Sequence, residues 1–362
     1  MGIIGKRLWC GDPQLVQMAG DKFLRQNCNL KDHIKKYCGS PNQLFGIKSY
    51  TFDEGKEKGT KAFEINTGSG LRFTILPDRG MDISYAEMNY RNISFISKNG
   101  IVSPVFFNSR GNGWLRSFGG GLLATCGLTQ IGRNEEADDI ELGLHGRIGN
   151  TPAYDVSHSA DWINGKYEIS VSGKMRQSSF YDENLVLKRT IKACAAENRF
   201  IVKDEIENEG TKDCLMLLLY HCNFGYPLLD HSTKLIADII STKAFDSKSA
   251  QNIDKALLYS EPQVNGSSLL YFHDIRANDD GYAIVKLYNE NEKFGIYIKY
   301  NKKTLPYLSQ WKNSCEQDYV TALEPGTGLP IGRSENIKNG HYTKIAPGQS
   351  ISIELEFGGL VL

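Results

Sequence analysis

This chain of 362 residues has no surplus of either charge: Lys plus Arg and Asp plus Glu each number 42. Without a basic or acidic excess there is no electrostatic basis for binding nucleic acid or an anionic membrane surface. Long hydrophobic runs are also missing. Although hydrophobic residues make up 40% of the chain, the longest run, near Cys214 to Tyr220, falls far short of the roughly 20 residues a membrane span needs. The N-terminal stretch MGIIGKRLWCGDPQ has neither a long apolar core nor a small-residue cleavage site, so no secretory signal is expected. The eight cysteines (Cys10, Cys28, Cys38, Cys126, Cys194, Cys214, Cys222 and Cys315) show no CxxC or CxxH spacing. That speaks against a zinc cluster or a disulfide framework and fits a reducing cytoplasm. Low-complexity linkers are absent, and no rhythm of strands alternating with long amphipathic helices is visible.

What is present is a succession of short strand patterns. AFEINT, LRFTIL, ISYAEM, KYEISVSGKM, NLVLKRTIKA, RFIVKDEIEN, CLMLLLYHCN, YAIVKLYN, FGIYIKYN and ISIELEF mostly alternate apolar with polar residues. They are bounded by Gly, Asn, Asp or Pro, as half-buried antiparallel strands joined by turns are. An all-β chain follows, folded as one large antiparallel β-sandwich, and 36 glycines suit its many turns. Strand density thins between Leu229 and Ser268, where a long excursion or irregular loop is expected. Helical spacing is confined to the N-terminal part, where Leu15, Met18, Ala19, Phe23 and Leu24 recur at intervals of three and four within 12–37. A second short helix is expected around 41–45. The expected organisation is a helical N-terminal extension over 1–36 and the sandwich over 37–362. WCGDPQLVQMAG and YCGSPNQLFGIK share a Cys-Gly-x-Pro core, but no period continues the echo, so it is not a repeat.

Three segments far apart in the chain each place a proton-handling side chain among small or turn-forming residues: GLHGRIGN with His145, LLLYHCNFGYPLL with His221, and TALEPGTGLP with Glu324. Glycines on both sides of His145 let backbone approach a ligand closely, although a turn histidine capping a strand has the same look. His221 follows an apolar strand and precedes a Gly/Pro-containing loop, so its ring can reach a cleft; a satisfied core histidine is the other reading. Asn223 alternates onto the same strand face as His221 and is placed to bond a polyhydroxylated ligand. Glu324 is either a solvated turn carboxylate or one projected into a pocket with a raised pKa. Gln310 and Trp311, in LSQWKN, supply an amide and an aromatic face for a sugar.

Arginines stand close to these segments in sequence. Arg79 lies in the turn of PDRGMDI, with Asp78 and Asp82 as alternative ion-pair partners. Arg116 precedes the glycine run of FGGGLLATCGL, Arg147 follows His145, and Arg333 follows the Glu324 segment. The glycine run lacks the Lys-Ser/Thr of a P-loop and the GxGxxG of a dinucleotide fold, so a nucleotide site is rejected.

Together, PDRGMDI, FGGGLLATCGL, LGLHGRI, LLLYHCNFGYPLL, SQWKN and LEPGTGLP make the chain resemble the aldose 1-epimerase (galactose mutarotase-like) superfamily, and more closely its DUF4432 branch, from about Tyr37 to the C-terminus. The resemblance implies a galactose mutarotase-like supersandwich. It also implies that Glu324 is the general base, His221 the general acid and His145 a substrate-binding residue, in an isomerase that opens a sugar hemiacetal without cofactor or metal. Arg79, Asn223, Gln310, Trp311, Arg147, Arg116 and Arg333 are the expected substrate-binding residues. The Asn-Arg substrate-binding motif of the mutarotases is not found in its usual early setting. Four arginines near the site motifs exceed what a neutral hexose needs and point to an acidic sugar.

Two other functions use the same residues. Two histidines and a glutamate are acceptable ligands for a divalent ion in a metal-dependent sugar isomerase or lyase. A non-catalytic carbohydrate-binding protein would use the same cleft. The expected partner is a small-molecule carbohydrate, with no nucleic acid and no membrane; nothing in the chain requires or forbids a homodimer.

Overall fold

The computed structural model describes residues 30–137 and 140–361. All ten strand patterns read from the sequence are strands, and three antiparallel sheets dominate. An eight-stranded sheet runs in the order Tyr154–Ile163, Lys166–Ser178, Asn184–Cys194, Arg199–Asn208, Ser350–Val361, Phe294–Asn301, Tyr282–Asn289, Thr233–Ala237. A seven-stranded sheet runs Ile239–Ala244, Ser268–Ile275, Tyr307–Asn313, Val320–Gly326, Cys214–Phe224, Thr343–Ile345, with Ala124–Leu128 also paired to Cys214–Phe224. A five-stranded sheet formed from 46–92 completes the set.

The long strands of the eight-stranded sheet, such as Lys166–Ser178, alternate buried and open residues because one face meets the core and the other meets solvent. Phe200 lies between Phe73 of the five-stranded sheet and Phe357, with ring centroids 4.4 and 4.9 Å away. The same core cluster takes in Met216, Leu218, Tyr220 and Cys222 from the seven-stranded sheet. At the junction of all three sheets Arg189 is fully buried. Its Nε and Nη2 donate to the two oxygens of Asp204, its cross-strand neighbour, at 2.8 and 2.7 Å. Its Nη1 reaches Asp82 of the five-stranded sheet and Thr125 of the seven-stranded sheet at 3.1 and 2.8 Å. The Tyr220 hydroxyl donates to Asp204 at 2.7 Å.

Cys214–Phe224 differs from the outer strands in being buried on both faces over most of its length. Met216, Leu218, Tyr220, Cys222 and Phe224 belong to the main core. Leu217 and Leu219 belong to a smaller cluster with Phe95, Trp114, Phe118 and Val320, on the opposite side of the sheet. A layer of loops covers that side, and the candidate site lies beneath it.

Two expectations for the fold need correction or completion. The region from Leu229 to Ser268 is not one irregular excursion: it begins with strands Thr233–Ala237 and Ile239–Ala244 and the helix Ser247–Ala250, and only then continues without strands. These strands are five and six residues long and IISTKA has no clean alternation, so their pattern is weak. The expected N-terminal extension ends in the helix Leu30–Tyr37, which buries Ile34 against the sandwich; the part of the expected helix over 12–29 lies outside the described residues. The short helix expected around 41–45 is a 3-10 turn, Pro41–Gln43, capped by Ser40. No helix among the described residues is long and apolar enough to cross a membrane.

Candidate active site

Residue parity along three adjoining strands brings the site together. Val320–Gly326 pairs with Cys214–Phe224 in a register that joins Cys222 to Leu323 and Asn223 to Ala322, so His221 falls opposite Glu324. On its other side Glu324 is paired with Ser309, while His221 is paired with Ala124. Ser309, Glu324, His221 and Ala124 therefore form one row across the loop-covered face. His221 Nε2 lies 3.1 Å from Glu324 Oε1, and both side chains are almost wholly buried.

Asn223, two residues on and on the same face, fixes the His221 ring. Its Nδ2 donates to the His221 carbonyl at 2.9 Å, which leaves Oδ1 to accept from His221 Nδ1 at 2.5 Å. The Nδ1–H is thereby committed to Asn223, and Nε2 is the nitrogen that faces Glu324. Asn223 was expected to bond substrate; it is fully buried and orients the imidazole instead.

His145 arrives from a loop. It adopts a left-handed backbone, φ 58°, before Gly146. Its N–H donates to the Gly132 carbonyl at 2.9 Å and its own carbonyl accepts from Gly127 N at 3.0 Å, so the turn is stapled to the sheet. The His145 and His221 rings meet edge to face, with centroids 5.4 Å apart at 87°. Trp114 lies 4.7 Å from His145 and stacks on Phe118 at 4.5 Å.

These groups line a cavity of about 280 Å³ with Trp311, Phe245, Leu144 and Arg133. Burial holds the His145 imidazole well below the usual histidine range, with His221 adding to the effect. Burial also raises the Glu324 carboxyl, and His221 opposes that rise. Glu324 Oε2 and Ser309 Oγ are buried and have no protein hydrogen-bond partner. Among the described residues no group of three or more His, Cys, Asp or Glu is arranged to hold a metal ion.

Of the expected site residues, His145, His221, Glu324 and Trp311 line the cavity. Trp311 is fixed there by a 2.8 Å bond from Nε1 to Ser268 Oγ. Gln310 faces the opposite side of the sheet, where its amide bonds His273 and Tyr259 at 2.9 and 3.0 Å. The reason is parity: Ser309 and Trp311 share the face of Glu324, and Gln310 between them cannot.

The four expected arginines do not line the cavity either. Arg79 donates to the carbonyls of Val102 and Ser117 at 2.6 and 3.1 Å and lines a neighbouring cavity of about 290 Å³, divided from the first by Trp114 and Phe118. Arg333 donates to the Thr129 carbonyl at 2.8 Å. Arg116 and Arg147 are exposed. The arginine that does line the cavity, Arg133, has no motif around it that marks it in the sequence. Trp114 and Phe118 are similarly unmarked, beyond their four-residue spacing before the glycine run.

Comparison with known proteins follows the same lines. Residues 57–358 match the family described as "Domain of unknown function (DUF4432)". The fold is similar to that of a Klebsiella pneumoniae protein proposed to be an aldose 1-epimerase, with 26% identity over 87% of this chain and 83% of that one and a TM-score of 0.83. A galactose mutarotase-like protein from Clostridium acetobutylicum gives a TM-score of 0.65 at 14% identity, over 89% of this chain and 100% of that one. A galactose 1-epimerase from Lactobacillus acidophilus gives 0.58 at 12%, over 87% and 98%. At those identities the last two show the fold alone, and no curated protein matches in sequence. With the family match covering most of its length and the galactose mutarotase-like sandwich around it, this chain belongs to the DUF4432 family.

Proposed function

We propose that this protein is an aldose 1-epimerase-like isomerase that interconverts sugar anomers by acid–base opening of the hemiacetal ring. The observation that carries the reading is the His221–Glu324 pair, 3.1 Å apart, with its second imidazole nitrogen committed to Asn223, in an aromatic-walled cavity. The kinship of fold with proteins named as aldose and galactose 1-epimerases supports it.

His221 Nε2 and Glu324 Oε1, 3.1 Å apart, are within reach of a common proton. A bound sugar presents its anomeric hydroxyl and its ring oxygen, both attached to one carbon, to the two members of the pair. Glu324 as carboxylate takes the proton of the anomeric hydroxyl while His221, protonated at Nε2, gives its proton to the ring oxygen. The bond from the anomeric carbon to the ring oxygen breaks and the free aldehyde forms. Rotation about the adjoining carbon–carbon bond exposes the other carbonyl face, and the reverse transfers close the ring to the opposite anomer. Atoms and protons balance without a cofactor.

Burial suits Glu324 to this task, because a carboxyl raised toward neutrality is a stronger base than a solvated one. His145, kept neutral, is placed beside the reacting oxygens as a hydrogen-bonding partner, and Trp114 and Trp311 offer flat faces to the apolar side of a sugar ring.

The test is anomer exchange measured by NMR on wild type, Glu324→Gln and His221→Asn. Each substitution is expected to slow exchange by at least about a hundredfold, the lower range for a positioned acid or base. An unchanged rate in either variant removes that residue from its role.

A further inference from the structure

Arg133 is the cation that the site cavity contains, and its surroundings are unusual for a surface arginine. The guanidinium lies over the Phe245 ring, 4.5 Å from the centroid. Phe245 is held in turn by an edge contact with Phe272 at 5.9 Å and by its backbone N–H, which donates to the Leu270 carbonyl at 3.0 Å. Stacking occupies a face of the guanidinium and leaves the in-plane N–H donors free to grip an oxyanion in bidentate fashion.

No acidic side chain among the described residues is within ion-pair distance of Arg133. Asp246, next to Phe245, caps the helix Ser247–Ala250 by accepting from Ser249 N at 2.7 Å. The ionisable groups lining the cavity are Arg133, His145, His221 and Glu324. Burial keeps His145 neutral, and Arg133, whose charge is felt by Asp246 without an ion pair between them, is the permanent cation lining the cavity. Much of the remaining wall is apolar, with Leu115, Leu144 and Leu270 among it, and offers little to the hydroxyls of a neutral sugar.

We infer that the ligand of this cavity is an aldose carrying an anionic group, a carboxylate or a phosphate ester, at the end remote from its anomeric carbon, with Arg133 holding that group while the hemiacetal end meets His221 and Glu324. The inference rests on the carbohydrate reading above and adds the charge of the substrate and the residue that selects it.

Calorimetric titration of the full chain with D-glucuronate, D-galacturonate and glucose 6-phosphate, against D-glucose and D-galactose, tests it, with anomer exchange followed by NMR on the same sugars. At least one anionic sugar is expected to bind about tenfold or more tightly than its neutral counterpart, the size of one charge-assisted contact. The uronates and the phosphate ester separate the two sources of the anion. Arg133→Gln should collapse the ratio of anionic to neutral binding toward one, and Arg133→Lys should restore part of it. Equal or tighter binding of the neutral sugars overturns the inference, as does an anionic preference that survives Arg133→Gln or no binding of any of the five. Arg133-dependent anionic binding without any anomer exchange sustains the inference and refutes the epimerase reading.

Discussion

Ser309 and Glu324 face each other on neighbouring antiparallel strands, and each has a buried oxygen with no protein hydrogen-bond partner. On the proposed mechanism a sugar would separate Glu324 from His221, and the Ser309 hydroxyl, its cross-strand neighbour, would then donate to the carboxylate. Ser309→Ala is expected to lower kcat about tenfold while raising folding stability by on the order of 1 kcal/mol, because it removes an unsatisfied buried hydroxyl. A thermal midpoint that falls, or an unchanged kcat, contradicts this.

Asn223 contacts the His221 ring at Nδ1 and the His221 backbone at its carbonyl. Asn223→Ala should reduce kcat about tenfold or more with KM little changed, since the tautomer and ring orientation are no longer held. Asn223→Asp sets a carboxylate against the same nitrogen and favours the imidazolium. Its rate–pH profile should keep the acid form of His221 active to higher pH than in wild type. A profile that superimposes on wild type would show that Asn223 is only packing.

The raised Glu324 carboxyl gives two linked pH effects. The rate should fall as pH drops through that raised value, above the usual glutamate range, because the base becomes neutral. For stability the sign is the reverse: a folded-state pKa above the unfolded one contributes stability that is complete in acid and lost as pH rises through the folded value. Glu324→Gln should therefore match wild type in acid and be the more stable protein at neutral pH, as read from unfolding midpoints across pH. Equal midpoints throughout would mean that ionising Glu324 costs nothing.

Gly132 ties the His145 loop to the segment after Glu324. Its φ is 76°, and a Cβ there would lie 2.1 Å from the Pro330 carbonyl carbon. Gly132→Ala must move one loop or the other, at a cost of about 1–3 kcal/mol. It should depress activity more than stability, because the Gly132 carbonyl accepts one of the two backbone hydrogen bonds that hold His145. Full activity in a folded Gly132→Ala protein would show that the position of His145 is not demanding.

Removing Arg189 leaves the buried Asp82 and Asp204 uncompensated. Arg189→Met should cost about 3–5 kcal/mol at neutral pH. Asp82 is already raised to about 6, since burial outweighs the pull of Arg189 and the Thr125 hydrogen bonds. A carboxyl so raised contributes stability in acid that is lost as pH rises through its folded value, so the deficit of the variant should shrink below about pH 6. Denaturant titrations at acid and neutral pH measure it, and a deficit independent of pH counts against the charge explanation.

Much of the architecture was legible because strands with one wet face carry their own signature. Lys166–Ser178, Asn184–Cys194 and Arg199–Asn208 alternate as the sequence does. Of the strands that build the site, Cys214–Phe224 was legible, but Tyr307–Asn313 and Val320–Gly326 were harder to read. Val320–Gly326 is buried throughout, with Leu323 in the main core and Val320 in the smaller one, so no alternation marks its faces. Tyr154–Ile163 was missed for the opposite reason: at the edge of its sheet it is largely exposed and carries no buried row.

The site divides in the same way. His145, His221 and Glu324 stood out because a titratable group amid apolar or glycine-rich neighbours is visible locally. Gln310 and the four arginines were drawn in by nearness along the chain, which does not carry direction. One residue of register puts Ser309 and Trp311 on the Glu324 face and Gln310 on the other.

The sequence alone determined an all-β sandwich and three proton-handling side chains, because alternation and local polarity are written within a few residues. Only the tertiary structure decided that these three meet in one cavity, that Asn223 serves His221, and that Arg133 is the cation beside them. Those relationships depend on strand order, pairing register and loops closing over a sheet, and no short stretch of chain encodes them.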